Sequence, residues 1–420
     1  MKILWITNIL FPEVVQLLTG KGDLRSSGGW MLGAADALLQ KKNCRLFVAT
    51  VSSLVSSLTI IQGKEIKYYI LPLGKGNTHI NLDYVSYWKQ VQQEVQSDII
   101  HIHGTEFSHG HAYLKACGNN NVVVSIQGLV SAIAPYYCAG LSSKDILLNL
   151  TFKDLIRGTV LHGKQNFKRR GVYEIETIRM AKHIIGRTSW DRARTWAINP
   201  DATYHFCNET LRSEFYDGSV WNYNKCLKHS IFLSQASYPI KGLHQVIKAL
   251  PIILHQYPDA VVRVAGQDIT KNDSFMDKIR LSGYGLYIRR LIKKYKLEGK
   301  ILFTGNLNGE EMKQEYLNSN VFVCPSSIEN SPNSLGEAQI LGVPCVASYV
   351  GGIADMMKGN EDNLYRFEEI EMLAEKICTV FSNKGSQIDM KHVASKRHDG
   401  MQNCDRLYTI YENILETHLI

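Results

Sequence analysis

Short runs of β-branched and aliphatic residues recur along the chain, separated by segments with helical spacing. In the first half the runs are Ile3–Thr7, Leu46–Val51, Tyr68–Leu73, Asp98–His103, Val122–Ile126, His183–Gly186 and Thr203–Cys207. In the second half they are Ser230–Ser234, Ala260–Ala265, Ile301–Thr304, Val321–Cys324 and Pro344–Ala347. Between them Trp30, Ala34, Ala37 and Leu38, and again Leu243, Val246, Ile247 and Leu250, recur at the three- and four-residue intervals of a helix with one apolar face. Runs such as VVVSI and AVVRVAG are apolar almost throughout rather than alternating, which is the pattern of strands covered on both faces. Strands alternating with helices predict parallel sheets and an α/β fold.

The stretch Tyr216–Lys225 is polar and contains a glycine, and it separates the two strand series. It divides the chain into a first domain, 1–218, and a second, 226–398. Leu407, Tyr408, Tyr411, Ile414 and Leu415 predict a final helix over 401–420. A length of 420 residues suits two domains. Two uncharged stretches, Arg45 to Lys64 and Lys115 to Lys144, are not membrane spans: the first carries four serines, and the second is interrupted by Gln127, Gly128 and Pro135. The apolar run at the N-terminus is short and reads as a first buried strand rather than a signal peptide. The nine cysteines contain no C-x-x-C pair and read as reduced thiols, so neither a disulfide framework nor a zinc site is expected. The net charge of +8 fits either a mildly basic soluble protein or one with a phosphate-bearing partner, such as a nucleotide sugar, a lipid phosphate or a membrane surface.

The densest chemical signal is VFVCPSSIENSPNSLGEAQILGVPCVASYVGG, from Val321 to Gly352. A buried strand ends at Cys324-Pro325, a Ser/Asn/Pro loop follows, and a helix opens near Asn333 and closes at Gly342. Ligands of parallel α/β sheets sit at the carboxyl ends of strands, and free amides at a helix start bind anions and hydroxyl oxygens. Glu329 lies in the loop and Glu337 in the helix. A carboxylate accepts two hydrogen bonds side by side, which suits neighbouring hydroxyls of a sugar or ribose. This order of strand, loop, E-x7-E, Gly-x-Pro and Gly-Gly resembles the signature of the retaining family-4 (group 1) glycosyltransferases.

The resemblance implies a GT-B fold: two doubly wound Rossmann-like domains facing a central cleft, the final helix returning to the first domain. It implies transfer of a hexosyl-type group from a nucleotide-diphosphate sugar to an acceptor, with retention of anomeric configuration, in polysaccharide or glycolipid biosynthesis. Donor is expected mainly on the second domain and acceptor on the first. By the same resemblance Glu329 contacts the donor sugar, the amides of Asn333, Ser334 and Leu335 hold sugar and phosphate, and Glu337 binds the ribose. Lys241, in SQASYPIKGL, would neutralise the diphosphate. Ala236 stands where the family has a second cation. Gly28-Gly29 resembles the family's phosphate-approaching glycine loop, and His103 its cleft-lining histidine. Gln127 stands where the family often has a histidine that touches the donor sugar. Gly305–Leu307 would touch the base. No cofactor and no metal are expected, the nucleotide sugar being a co-substrate, and no nucleic-acid partner is implied.

Three readings stay open at this point. Arg187, Asp191, Glu209 and Arg212 are either acceptor ligands or a structural ion-pair set. The same architecture serves a sugar-nucleotide epimerase. With Ala236 and Gln127 as departures, it also serves a sugar-nucleotide-binding protein without turnover. Finally, FKDLIRGTVLHGKQNFKRR, from Phe152, carries six Lys/Arg against one Asp and places Phe152, Leu155, Ile156, Thr159 and Val160 on one helical face. Because many relatives modify lipid-linked acceptors, this segment is expected to give reversible contact with anionic lipid. The expected location is cytoplasmic, peripheral at the inner membrane face.

Overall fold

The computed structural model describes residues 1–20, 29–73, 82–383 and 388–417. The chain forms two compact units. The first comprises Met1–Ala132, Asn166–Arg212 and His398–Ile420; the second comprises Ile133–Gln165 and Ser213–Arg397.

The first unit holds strands β1 (Lys2–Thr7), β2 (Arg45–Ser52), β3 (Thr59–Gln62), β4 (Lys67–Pro72), β5 (Ile99–His103), β6 (Val122–Ser125), β7 (His183–Gly186) and β8 (Thr203–Phe206). They form one sheet in the order β3-β4-β2-β1-β5-β6-β7-β8, parallel except for β3 against β4. The second holds β9 (Ser230–Leu233), β10 (Val261–Val264), β11 (Ile301–Phe303), β12 (Val321–Cys324), β13 (Cys345–Ser348) and β14 (Leu364–Tyr365). Their order is β11-β10-β9-β12-β13-β14, parallel throughout. Read from β9, this is the doubly wound arrangement whose switch point lies between the first and fourth strands.

All twelve runs read as strands are strands, with ends shifted by at most one residue. Two strands lack a signal of that kind. β3 pairs antiparallel at the sheet edge with alternate residues exposed, and β14 is two residues long. An edge strand buries one face only, so it does not show the continuous apolar run of its neighbours.

The apolar positions fill both faces of each sheet. On one face of the first sheet Leu4, Ile6, Ile100, Ile102, Trp88 and Val91 pack together; on the other Ile3, Trp5, Val48, Leu38 and Ile414 do so. The helix Gly400–Thr417 closes that second face. Its Tyr411 hydroxyl lies 3.1 Å from Trp5 Nε1 and 2.6 Å from His101 Nδ1. The second unit's core centres on Ile231, Leu243, Val246, Val262, Val323 and Ile377.

Phe152–Arg170 is not one helix. It divides into Phe152–Arg157 and the start of Val160–Met180, because Gly158 takes a left-handed φ of 86° and the Thr159 hydroxyl accepts the Leu161 amide at 3.2 Å. The expected common face therefore splits. Phe152, Leu155 and Ile156 point to solvent, while Val160 packs on the second unit's core.

Buried histidines tie pH to stability. His244, wholly buried, meets the Ala139 carbonyl at 2.8 Å and the Tyr284 hydroxyl at 3.1 Å. Burial lowers its pKa to about 4, whereas the unfolded chain protonates near 6.5. Between those values the unfolded state binds the extra proton, so stability is lost as pH falls from 6.5 toward 4. His244→Gln is expected to lose on the order of 2–3 kcal/mol less than the wild type over that interval, in urea unfolding at neutral and acid pH. Equal losses in the two proteins would remove His244 from the acid response.

Candidate active-site residues

In the second unit two of the side chains expected to meet the donor, Lys241 and Glu329, come together where β9 and β12 run side by side. Lys241 closes the short turn Pro239–Lys241 that follows β9, and Glu329 lies in the loop that follows β12. Both stand at the carboxyl ends of the two strands that flank the switch point, the position where such sheets bind ligands. Lys241 Nζ and Glu329 Oε1 are 2.5 Å apart, and the Ser326 hydroxyl donates to the same oxygen at 2.9 Å. The two side chains are 21% and 15% exposed, so the pair is mostly shielded yet reachable from solvent. Burial pulls the Lys241 pKa down, but the charge and hydrogen bond of the Glu329 carboxylate, together with Tyr238, hold the ammonium above its ordinary value.

Two glycines make this approach possible. Gly242 has a φ of 72°, and a Cβ there would strike the Pro325 carbonyl oxygen. Gly351 has a φ of 53°, and a Cβ there would strike the Glu329 carbonyl oxygen. The Gly352 amide donates to that same carbonyl at 3.0 Å, and the Ser327 amide to the Ile240 carbonyl at 2.8 Å. The loop carrying Glu329 is thus bound by backbone to the turn after β9 and to the turn after β13. This gives the Gly-Gly pair at the end of the motif a mechanical purpose.

The helix Asn333–Ile340 starts after Pro332, which offers no side-chain cap. The first amides of a helix have no carbonyl within it to bond. The Leu335 amide turns back to the Pro332 carbonyl at 3.0 Å, so Asn333 and Ser334 supply the outermost donors of this turn. Glu337, 5% exposed, lies 3.4 Å from the Tyr316 hydroxyl, which also donates to the Ser334 carbonyl at 2.9 Å. Beyond β10 and β11, Gly266 and Gly305 bond each other's backbones at 2.9 and 3.1 Å, so the segment Gly305–Leu307 begins at a fixed point.

The first unit brings together a different set. His103, at the end of β5, is buried, stacked on His101 at 3.7 Å between ring centroids and edge-on to Trp5 at 4.4 Å. Burial lowers its pKa to about 3, so it is a neutral ring. It lines a small cavity together with Gln127, Arg187, Glu209, Thr210 and Leu407. The Gln127 amide donates to Glu209 at 2.7 Å, Arg187 is paired with Glu209 and donates to the Gln127 carbonyl at 3.0 Å. Asp191 accepts the Arg187 backbone amide at 3.0 Å and a bond from the Tyr204 hydroxyl. Arg187, Asp191 and Glu209 are therefore joined by direct bonds in the structure. Gly29 begins the helix Gly29–Leu39, and Gly28 lies outside the described residues.

A pair of carboxylates here was invisible in the sequence. Glu174, wholly buried, accepts the amides of Val130 and Ser131 at 2.9 and 2.8 Å and hydroxyls from Ser131 and Thr105 at 2.5 and 3.1 Å. Burial raises its pKa to about 7 against those bonds. Glu106 accepts Asn8 and the Gly128 amide at 3.1 and 2.9 Å, and burial raises its pKa also. Arg170 donates to the Glu106 carbonyl at 2.5 Å and stacks on Phe107, so it is committed to this network, while Lys168 and Arg169 are exposed. The only signal for Glu174 in the sequence was a Glu in a basic helix, which nothing distinguishes from a solvated one.

Residues 223–397 match the family model of the glycosyl transferases group 1. The chain is 28% identical over 185 residues to the putative glycosyltransferase YtcC of Bacillus subtilis, a match covering 42% of this chain and 43% of that protein. It is 24% identical over 147 residues to the sulfoquinovosyl transferase SQD2 of Arabidopsis thaliana, covering 34% and 25%. The chain thus spans less than half the length of the curated relatives it matches. Among solved structures it is similar to sucrose-phosphate synthase from Thermosynechococcus elongatus, with a TM-score of 0.66 at 15% identity over 99% of both chains. An E. coli trehalose-6-phosphate structure bound with UDP-2-fluoro glucose gives 0.62 at 12% identity, over 98% and 99%. These likenesses establish the fold, two parallel-sheet Rossmann-like units of the GT-B class.

Gly351→Ala is expected to destabilise the protein by ~1–3 kcal/mol, the range for a residue forced into a sparsely populated backbone region. Equilibrium urea unfolding measures it, and a midpoint unchanged from the wild type would show that the Glu329 backbone does not depend on this contact.

Proposed function

We propose that the protein is a retaining glycosyltransferase that moves a sugar from a nucleotide-diphosphate donor to a saccharide or lipid-linked acceptor at the inner face of a membrane. The observation that carries this reading is the Lys241–Glu329 pair at the ends of β9 and β12, inside the residues that match the family model. A cation and a carboxylate at a switch point suit a donor that is anionic at the diphosphate and rich in hydroxyls at the sugar. Three further features support it: Glu337 eight residues on, the amides of Asn333 and Ser334 at an uncapped helix start, and solved relatives of the same fold, one of them holding a UDP-sugar analogue.

In this reading the diphosphate displaces Glu329 from Lys241. The ammonium then stabilises the charge that grows on the leaving diphosphate, with the helix-start amides beside it. Glu329, released, accepts hydroxyls of the donor sugar and fixes its orientation toward the acceptor. Glu337 holds the ribose. Acceptor recognition is assigned to the first unit, apart from His103 and Gln127, which line its cavity and which the resemblance gives to the donor.

Slow hydrolysis across a panel of nucleotide sugars identifies the donor. Glu329→Gln is expected to lower turnover by about 10²–10³-fold, the effect of one lost electrostatic contact in the transition state, with the unfolding midpoint retained. Wild-type turnover in this variant would take Glu329 out of the reaction. Lys241→Ala and Glu337→Ala are each expected to weaken the nucleoside diphosphate as well as the intact donor, read by titration calorimetry. Unchanged affinity in both would refute this donor site. Because Lys241 and backbone amides supply the positive charge, activity is expected to survive a chelator; loss restored by manganese or magnesium would contradict that.

A further inference from the structure

The helix Phe152–Arg157 is turned inside out. Its Asp154 is buried, while Phe152, Leu155 and Ile156 are 56%, 76% and 66% exposed. The preceding helix, Ser143–Leu148, repeats the pattern: Ile146 is buried, and Leu147 and Leu148 are 63% and 60% exposed. Alongside runs a third short helix, Phe275–Arg280, whose Phe275 is 76% exposed. These elements all belong to the second unit and are fixed to it. Gly283 packs so closely that a Cβ there would fall 2.8 Å from the Asn149 carbonyl oxygen and 2.6 Å from the Asp154 carboxylate, and Arg290 donates to the Leu148 carbonyl at 2.7 Å. The exposed side chains are thus held outward by an ordered framework. A cluster of this kind on a water-soluble surface marks an interaction site.

The charges on the same elements say what covers it. Their three acidic residues, Asp145, Asp154 and Asp277, each close the capping box of their own helix, with Ser142, Thr151 and Ser274. The carboxylates are spent on backbone amides. The basic residues Lys144, Arg157, Lys278 and Arg280 are exposed and have no such commitment in the caps. The face therefore combines projecting apolar knobs with positive charge. A second copy of the same face would set positive against positive. A folded protein partner would need a socket for each knob, whereas a fluid phase conforms to any of them.

We propose that this face, built from 143–157 and 275–280, docks on an anionic lipid bilayer, with Phe152, Leu155, Ile156 and Phe275 entering the boundary between headgroups and acyl chains and the lysines and arginines meeting lipid phosphate. No helix among the described residues is long and apolar enough to cross a membrane, so the contact is interfacial. The inference deepens the proposed membrane location by giving it a surface. It needs no donor and no turnover, so either reading can fail without the other.

The test is flotation of the full chain with phosphatidylcholine vesicles, with and without phosphatidylglycerol, at low and high salt. The wild type is expected to float with the anionic vesicles only, and less so at high salt. Phe152→Ser/Leu155→Ser/Ile156→Ser should lower the partition coefficient by about tenfold or more at either salt, with thermal unfolding retained, since all three side chains are mostly exposed. Arg157→Glu/Lys278→Glu/Arg280→Glu should lower it by a similar factor at low salt and by less at high salt. Partitioning of the three proteins alike would overturn the proposal. So would a wild type that stays off anionic vesicles and instead self-associates, or binds an acidic protein, through a face that the serine variant abolishes.

Discussion

Backbone contact between three loops governs the carboxyl end of the second unit's sheet. The turn after β9, the loop after β12 and the turn after β13 meet at carbonyl oxygens of Pro325 and Glu329, in space that a single methyl group would fill. Gly242 and Gly351 leave that space empty, and both occupy left-handed backbone that other residues adopt only with strain. Once the loops have closed, the side chains of Lys241 and Glu329 have little choice of place. The ion pair follows from the backbone contact rather than producing it. That order makes sense energetically, because a partly buried pair returns little net stability after desolvation, while an unpaired charge in the same place is costly. A pair held ready by its scaffold can be opened by a ligand that offers each partner a replacement.

The first unit solves the corresponding problem with polar side chains. At the end of β5, His103 is kept neutral by burial and packed against His101 and Trp5. Tyr411, from the far end of the chain, bonds both His101 and Trp5. Beside them Glu174 satisfies four donors from the segment around Val130 and Thr105, and Glu106 fixes the backbone of Gly128. The residues after Gln127, from Gly128 to Ser131, are therefore positioned by carboxylates distant in sequence. Networks of this kind are worth keeping only when every member is satisfied, which is why they define one arrangement of their loops.

The segment Ile133–Gln165 shows how far local sequence and final position separate. It lies within the strand series of the first half, yet it packs with the second unit, through Leu141 and Val160 against that unit's core and through His244 to Ala139. Its helices bury Asp154 and expose leucine, isoleucine and phenylalanine. Amphipathic reasoning assumes that the apolar face turns inward, and here the capping carboxylate of Asp154, packed against Gly283, faces inward instead.

The strands, their parallel pairing and the two-unit α/β class were legible in the sequence because nearly every buried strand carries its own continuous apolar run, a property of a few neighbouring residues. The segment from Pro325 to Gly352 was legible for the same reason: Glu329, Glu337, Gly351 and Gly352 follow one another along the chain, and their spacing is set by one loop, one helix and one strand. What the sequence did not hold is any relation between residues far apart whose types are common. Lys241 facing Glu329, Gln127 bonded to Glu209, Tyr411 reaching His101 and Glu174 taking the amides of Val130 and Ser131 each depend on which strands lie side by side. The same holds for the outward face of Phe152, Leu155 and Ile156, because periodicity says which residues share a side of a helix and only the packing of Asp154 and Gly283 decides which side meets solvent.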